Sequence, residues 1–162
     1  MKTLYLIRHA KSSWEFNLDD HQRPLNTRGY QDAKAVGLAL KARNLPIEKV
    51  IGSDAVRAKT TAKIVIDIME IDPNTVTFDS KLYDFQGEHV FEEVKLCDTA
   101  IDHLMLFGHN HALTRLANQW GDLAIDNVPT AGVVAITFDI KHWSALQNGK
   151  TIFTVFPKAL RL

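Results

Sequence analysis

Arg8 and His9 stand side by side at the end of an apolar run, Leu4-Tyr5-Leu6-Ile7. A guanidinium and an imidazole at the end of a buried strand are costly unless something there uses them. Two later apolar runs end in the same manner. KVIGS (49–53) delivers Ser53 and Asp54 and then Arg57, while HLMLFG (103–108) delivers His109, Asn110 and His111. Ligands of open α/β sheets bind beyond the carboxyl ends of the strands. Two arginines and two histidines are therefore expected at one rim, with Lys11, Ser12 and Ser13 just behind the first pair.

Such a set suits a tetrahedral oxyanion. Arginine offers a planar fork of donors that matches phosphate oxygens, and it keeps its charge at any working pH. Arg57 falls where a helix is expected to begin, and a cation there opposes the helix dipole unless an anion lies close. Phosphate would be that anion. A neutral imidazole, with a reference pKa of about 6.5, has a lone pair for in-line attack on phosphorus. Phosphoryl transfer needs mainly positioning and charge stabilisation, which the arginines supply.

The elements that must hold these residues follow from periodicity. Residues 3–8 read as a first strand buried on both faces, and 10–27 as a long connection without helical spacing. Connections of that length are uncommon in compact domains and often functional. Thr27 is expected to cap a helix over about 28–44, closed by Pro46. A second helix is expected over 55–71, with Val56, Thr60, Ile64, Ile68 and Ile71 at helical spacing. A weak strand at 75–78 leads through the loop SKLYDFQG to a short helix in GEHVFEEVKLC. After the strand at 103–109, Leu113, Leu116, Ala117 and Trp120 mark another helix. Runs at 133–139 and 151–157, joined across Asn148-Gly149, read as a hairpin. This order predicts an α/β three-layer sandwich: a mostly parallel central sheet, helices on both faces and a C-terminal antiparallel hairpin at the edge.

Composition narrows the class. A length of 162 residues with 46% hydrophobic content suits one globular domain over 1–162. Lys+Arg and Asp+Glu both number 19, so nucleic acid is not an expected partner. No apolar run approaches a bilayer span, and Arg8 and His9 interrupt the first run too early for a signal peptide. Neither membrane nor export is expected. Cys97 is alone, which suits a reducing compartment, so a cytoplasmic location is expected. Cys97 itself reads as a small helix-face hydrophobe. Nothing in the chain sets an oligomeric state.

Five stretches taken in order resemble a known motif series: LIRHAKSSW, DDHQRPLNTRG, GSDAVRAKTTA, LMLFGHNHAL and PTAGVVAI. Together they are similar to the histidine phosphatase superfamily, of phosphoglycerate-mutase-like fold. The compact length and the R-P-L-x-x-R-G stretch look most like the SixA-type phosphohistidine phosphatases. The resemblance runs from residue 3 to about 138. It implies that His9 is the phosphorylated nucleophile, that Arg8 and Arg57 clamp the phosphate, and that His109 hydrogen-bonds the transferring group. It implies a further binding role for Arg23, while Lys11, Ser12 and Asn110 are candidate substrate contacts. Two departures stand out. Ala10 replaces the glycine common after Arg-His, and His111-Ala112 replace the usual Pro-Gly after Gly-His-Asn.

A general acid is harder to find. Asp84 and Glu88, in LYDFQGE, are candidates, as are Asp19 and Asp20 in the long loop, and none follows an acid motif. Alkoxide leaving groups benefit from such an acid, whereas imidazole leaving phosphohistidine is far less basic. The expected activity is therefore hydrolysis of a phosphorylated substrate, a phosphohistidine protein, through phospho-His9. Alternatives are a small-molecule phosphomonoester phosphatase using Asp84 or Glu88, and a non-catalytic phosphate-binding module. No cofactor is expected. His109 and His111 form a chelating spacing, but His21, His89, His103 and His142 do not cluster to complete a site, so no metal is expected either. Trp14 either lines the substrate mouth or fastens the loop.

Overall fold

The computed structural model describes residues 1–161. Strands β1 (Lys2–Arg8), β2 (Lys49–Ser53), β3 (Val76–Asp79) and β4 (His103–Gly108) alternate with helices α1 (Thr27–Lys41), α2 (Val56–Met69) and α3 (Glu88–Lys95). Helix α4 (Ala112–Trp120), strands β5 (Val133–Phe138) and β6 (Lys150–Val155) and helix α5 (Pro157–Leu160) follow. The six strands form one sheet in the order β3-β2-β4-β1-β5-β6. The first four strands in that order run parallel, and β5 and β6 add antiparallel at the edge. This is the expected three-layer α/β sandwich with its C-terminal hairpin.

Period-two alternation in β1 feeds two cores. Leu4 and Leu6 join Leu104, Leu106, Leu113, Leu116 and Trp120 on the α3/α4 face. Tyr5 and Ile7 join Val36, Leu40, Val65, Met105 and Phe107 on the α1/α2 face. With apolar side chains on both faces, β1 is anchored as a central strand, and its end makes a rigid mount.

Three local expectations are corrected. The cap of α1 is Asn26, whose Oδ1 accepts the Gly29 N–H at 2.8 Å, and Thr27 is already helical. The helix stops at Lys41, well before Pro46, and Asn44 takes a left-handed turn at φ 53°. The inward face of α2 is Arg57, Ala58, Thr61, Ala62, Val65 and Ile66. Ile64 and Ile68 are half-buried instead, and a Cβ on Gly37 of α1 would meet Ile68 Cδ1 at 3.0 Å. The two alanines let α2 approach the sheet, so the bulkier isoleucines are left to the helix–helix seam.

The long connection is an arm with a tied base. Ser12 bridges Leu25, Ser13 N–H donates to the Pro24 carbonyl at 2.8 Å, and Asn26 N–H donates to the Lys11 carbonyl at 3.0 Å. Gly29 makes this possible, because a Cβ there would lie 2.1 Å from the Lys11 carbonyl oxygen.

Candidate active site

Register brings the two histidines together. Arg8 of β1 pairs with Gly108 of β4, so His9 and His109 follow on adjacent parallel strands although 100 positions separate them. The His9 N–H donates to the Gly108 carbonyl at 3.1 Å, and the imidazole centroids are 5.2 Å apart. On the other side of β1, Arg8 N–H donates to the Gly132 carbonyl at 3.0 Å, and Ala131 N–H to the His9 carbonyl at 2.9 Å. Ala131 adopts φ 61° to do so, a conformation that costs a non-glycine residue about 1 kcal/mol. From α2, the Thr61 hydroxyl accepts the Ala10 N–H at 2.9 Å and donates to the Arg57 carbonyl at 2.7 Å. His9 is thus fixed from three directions.

Hydrogen bonding assigns the proton on the His9 ring and favours one arrangement for His109. His9 Nδ1 lies 2.7 Å from the Ala10 carbonyl, which can only accept, so Nδ1 carries the hydrogen and the lone pair is on Nε2. Burial lowers the His9 pKa to about 3; the Ala10 bond opposes this, and the charges of Arg57, Arg8 and Arg23 reinforce it. His109 Nε2 lies 2.8 Å from the Ser53 hydroxyl, which already accepts the Ala55 N–H at 3.1 Å. With one lone pair so used, the Ser53 hydroxyl can donate its hydrogen to His109 Nε2, the arrangement that places an N–H at Nδ1. The His109 pKa is pushed to about 2, by burial first and then by His9 and Arg57. Both imidazoles are neutral at ordinary pH.

Among the described residues, three buried side-chain nitrogens have no partner: Arg8 Nε, Arg57 Nε and His109 Nδ1. Unpaired buried donors are rare and expensive. Here all three belong to the four-residue set that the strand ends deliver. Among the described residues Arg8 pairs with no carboxylate; its Nη1 donates to the Val128 carbonyl at 3.0 Å. Burial, then Arg57, lowers its pKa. Two arginines facing one region with donors to spare are complementary to an anion.

A cavity of about 490 Å³ opens over these residues, lined by Arg8, His9, Arg57, Lys11, Ser12 and Asn110 among others. His109 lies behind it, fully buried, its ring packed by Tyr83 and Phe85 at 5.3 and 5.2 Å. Arg23 also lines the cavity, held by Ser12 Oγ at 2.8 Å and stacked 3.4 Å under the Trp14 ring. Trp14, 77% exposed, therefore lines the mouth and braces Arg23. Asn110 is turned toward Asn127 Oδ1, 2.7 Å away.

The acid candidates Asp84, Glu88 and Asp20 sit in three different settings. Asp84 accepts the N–H groups of Gln86, Gly87, His89 and Val90 and so caps the start of α3. Burial alone would raise its pKa, but the backbone bonds from Gly87, Val90, Gln86 and His89 outweigh it and hold the carboxyl below its ordinary value. Glu88 lines a different, more apolar groove between α3 and α4. Neither lines the cavity over His9. Asp20 does, accepting from Arg57 Nη2 at 2.9 Å, from Arg23 Nε at 3.1 Å and from the Tyr83 hydroxyl. Burial again works against ionisation, and Tyr83, Arg57 and Arg23 prevail, so the Asp20 pKa is lowered. An ionised carboxylate is no proton donor. Cys97 is excluded as a nucleophile by burial, which raises its pKa to about 11.

A family model described as histidine phosphatase superfamily (branch 1) matches residues 4–87. An uncharacterized Mycobacterium tuberculosis protein is 30% identical over 155 residues, covering 88% of this chain and 93% of its own. The chain belongs to the histidine phosphatase superfamily. Within that superfamily its fold is similar to the protein histidine phosphatase SixA complexed with tungstate. That match has a TM-score of 0.83 at 20% identity and covers 98% and 99% of the two chains. It is also similar to a phosphoglycerate mutase from Bacillus anthracis, with a TM-score of 0.66, 17% identity and 98% and 95% coverage. Superfamily membership agrees with the motif series, and the segment matched by the family model contains Arg8, His9, Arg23 and Arg57.

The structure brings in residues to which the sequence reading gave no role. Ser53 and Thr61 stand at the ends of the stretch SDAVRAKTT, and their spacing to Arg57, four residues either side, was the available signal. Tyr83 and the linking position of Asp20 had no such signal.

Proposed function

We propose that the chain, acting as one histidine phosphatase domain, hydrolyses phosphohistidine on a protein through a covalent phospho-His9 intermediate. The observation that carries this reading is the trio of unpartnered buried nitrogens around a neutral imidazole. His9 Nε2 attacks phosphorus, forming an N–P bond as the P–N bond to the departing imidazole breaks and its electron pair leaves with that ring. The substrate ring arrives protonated on its other nitrogen, so it departs as neutral imidazole and needs no acid from the site. Arg8 and Arg57 neutralise the phosphoryl oxygens, and His109 Nδ1–H donates to one of them. Water then attacks phosphorus, and the pair returns to His9 Nε2 with release of phosphate.

Ionised Asp20 and capped Asp84 support the choice of substrate. A sugar or alkyl ester needs a proton delivered to its oxygen, and neither carboxyl is set to deliver one. Turnover of a phosphohistidine peptide and of alkyl and sugar phosphates, by wild type and His9→Gln, tests the reading. Rapid release from the peptide, slow release from the esters and none by His9→Gln are expected. Faster ester hydrolysis would replace the reading with a small-molecule phosphatase, and phosphate binding without turnover of any kind would replace it with a binding module.

A further inference from the structure

A second cavity, of about 500 Å³, shares a wall with the one over His9, since Lys11 and Thr130 line both. Its other polar walls are Arg28, Asp32, Lys158 and Arg161. Among the described residues four cations thus face one carboxylate, and buried Asp32 is already taken by Arg161 Nη2 at 2.7 Å. Among the described residues, Lys11, Arg28 and Lys158 pair with no carboxylate. Arg28 also lies in the first turn of α1, which contains no acidic residue, so its charge adds to the positive end of the helix dipole. Across the whole chain the charges balance, 19 against 19, so this excess is local.

Two positive cavities with a common wall favour a substrate carrying two negative groups. We infer that the second cavity is an anion subsite that reads a group carried beside the transferring phosphoryl. On the polypeptide substrate proposed above, on which this inference rests, that group is the carboxylate of an acidic side chain near the phosphohistidine. Adjoining cavities of this size have centres about 10 Å apart, or about three residues of extended chain at about 3.3 Å each. The subsite would lower KM for acidic sequences through charge concentrated at the cavity, an effect that salt screens.

Kinetics at low salt test this with three substrates: phosphoramidate, a phosphohistidine peptide with glutamates two to four residues away, and its alanine counterpart. A KM about tenfold lower for the acidic peptide is expected in wild type. In Arg28→Glu/Lys158→Glu, two exposed positions, the preference disappears while kcat on phosphoramidate stays within twofold. Equal KM values for the two peptides, or a preference that survives the double substitution, would overturn the subsite. A preference for a small bisphosphate over a monophosphate, with none between peptides, would overturn its assignment to acidic polypeptides. No turnover of phosphoramidate or of either peptide would count against the phosphatase reading alone. Equilibrium titration with the same peptides bearing a non-hydrolysable phosphonate then reads the subsite by itself, with the same tenfold preference expected and its absence decisive.

Discussion

Asp20 holds Arg57 by two separate groups: its carboxylate accepts from Nη2 at 2.9 Å and its main-chain carbonyl accepts from Nη1 at 2.6 Å. The end of the guanidinium is thereby occupied, and its Nε edge is left unpartnered beside Arg8 and His9. Asp20 orients the clamp from the loop while placing a negative charge close to the phosphate.

That charge opposes a bound dianion. Asp20→Asn keeps the size of the side chain and removes the repulsion. Inhibition by inorganic phosphate should tighten about tenfold, equivalent to about 1.4 kcal/mol, with kcat reduced less than tenfold. Competitive inhibition constants for the two proteins check this, and weaker phosphate binding in the variant would mean that orientation outweighs repulsion.

The fork of Arg57 matters as well as its charge. Arg57→Lys keeps a cation and most of the stem but loses Nε and the planar geometry. We expect kcat/KM to fall about 1,000-fold, or about 4 kcal/mol of transition-state stabilisation, with little change in thermal midpoint. A loss below tenfold would mean that Arg57 contributes charge only.

Ser53 is argued to act through His109. Ser53→Ala removes the hydroxyl at Nε2 and with it the preference for an N–H at Nδ1. An about 30-fold fall in kcat with KM nearly unchanged is expected, together with a change in the ¹⁵N signals of His109 toward the other tautomer. Unchanged imidazole signals would show that Ser53 only packs.

Both buried histidines link stability to pH. Their folded pKa values, about 3 for His9 and about 2 for His109, lie below the unfolded value of about 6.5. Between these limits the unfolded chain binds more protons, so stability is full above about pH 6.5 and falls as pH drops. From pH 6.5 to 5 each histidine removes about 1.7 kcal/mol. Asp20 and Asp84, with lowered pKa values, add to the loss below about pH 4. Urea midpoints measured across this range should fall, and His9→Gln should flatten the slope by about half between pH 5 and 6.5. A slope unaltered by the substitution would place the titrating groups elsewhere.

Much of this site is written in local pattern. Arg8, His9 and His109 each follow directly on a buried apolar run, and a buried strand dictates where its last residue lies. Arg57 follows a third such run by four residues, one helical turn. Asp20 is different, because the 10–27 connection has no period, and its meeting with Arg57 depends on how an arm tied at Ser12 and Leu25 folds over α2. The inward face of α2 departs from the spacing of its larger apolar residues for a related reason. Hydrophobicity points to Ile64 and Ile68, but close approach to the sheet selects Ala58 and Ala62 and carries Arg57 and Thr61 inward with them. Asp84 illustrates a third limit: a carboxylate in a loop before a helix reads equally as acid or cap until the four N–H groups around it are seen.

Covalent transfer to His9 is open to trapping. Wild type and His9→Ala are mixed briefly with phosphohistidine peptide, quenched in alkali to preserve N–P bonds, digested and mapped by mass spectrometry. An acid-labile phosphoryl group on His9 in wild type, and neither label nor turnover in the variant, are expected. Turnover that persists in His9→Ala, or label on another residue such as His109 or His111, would contradict it.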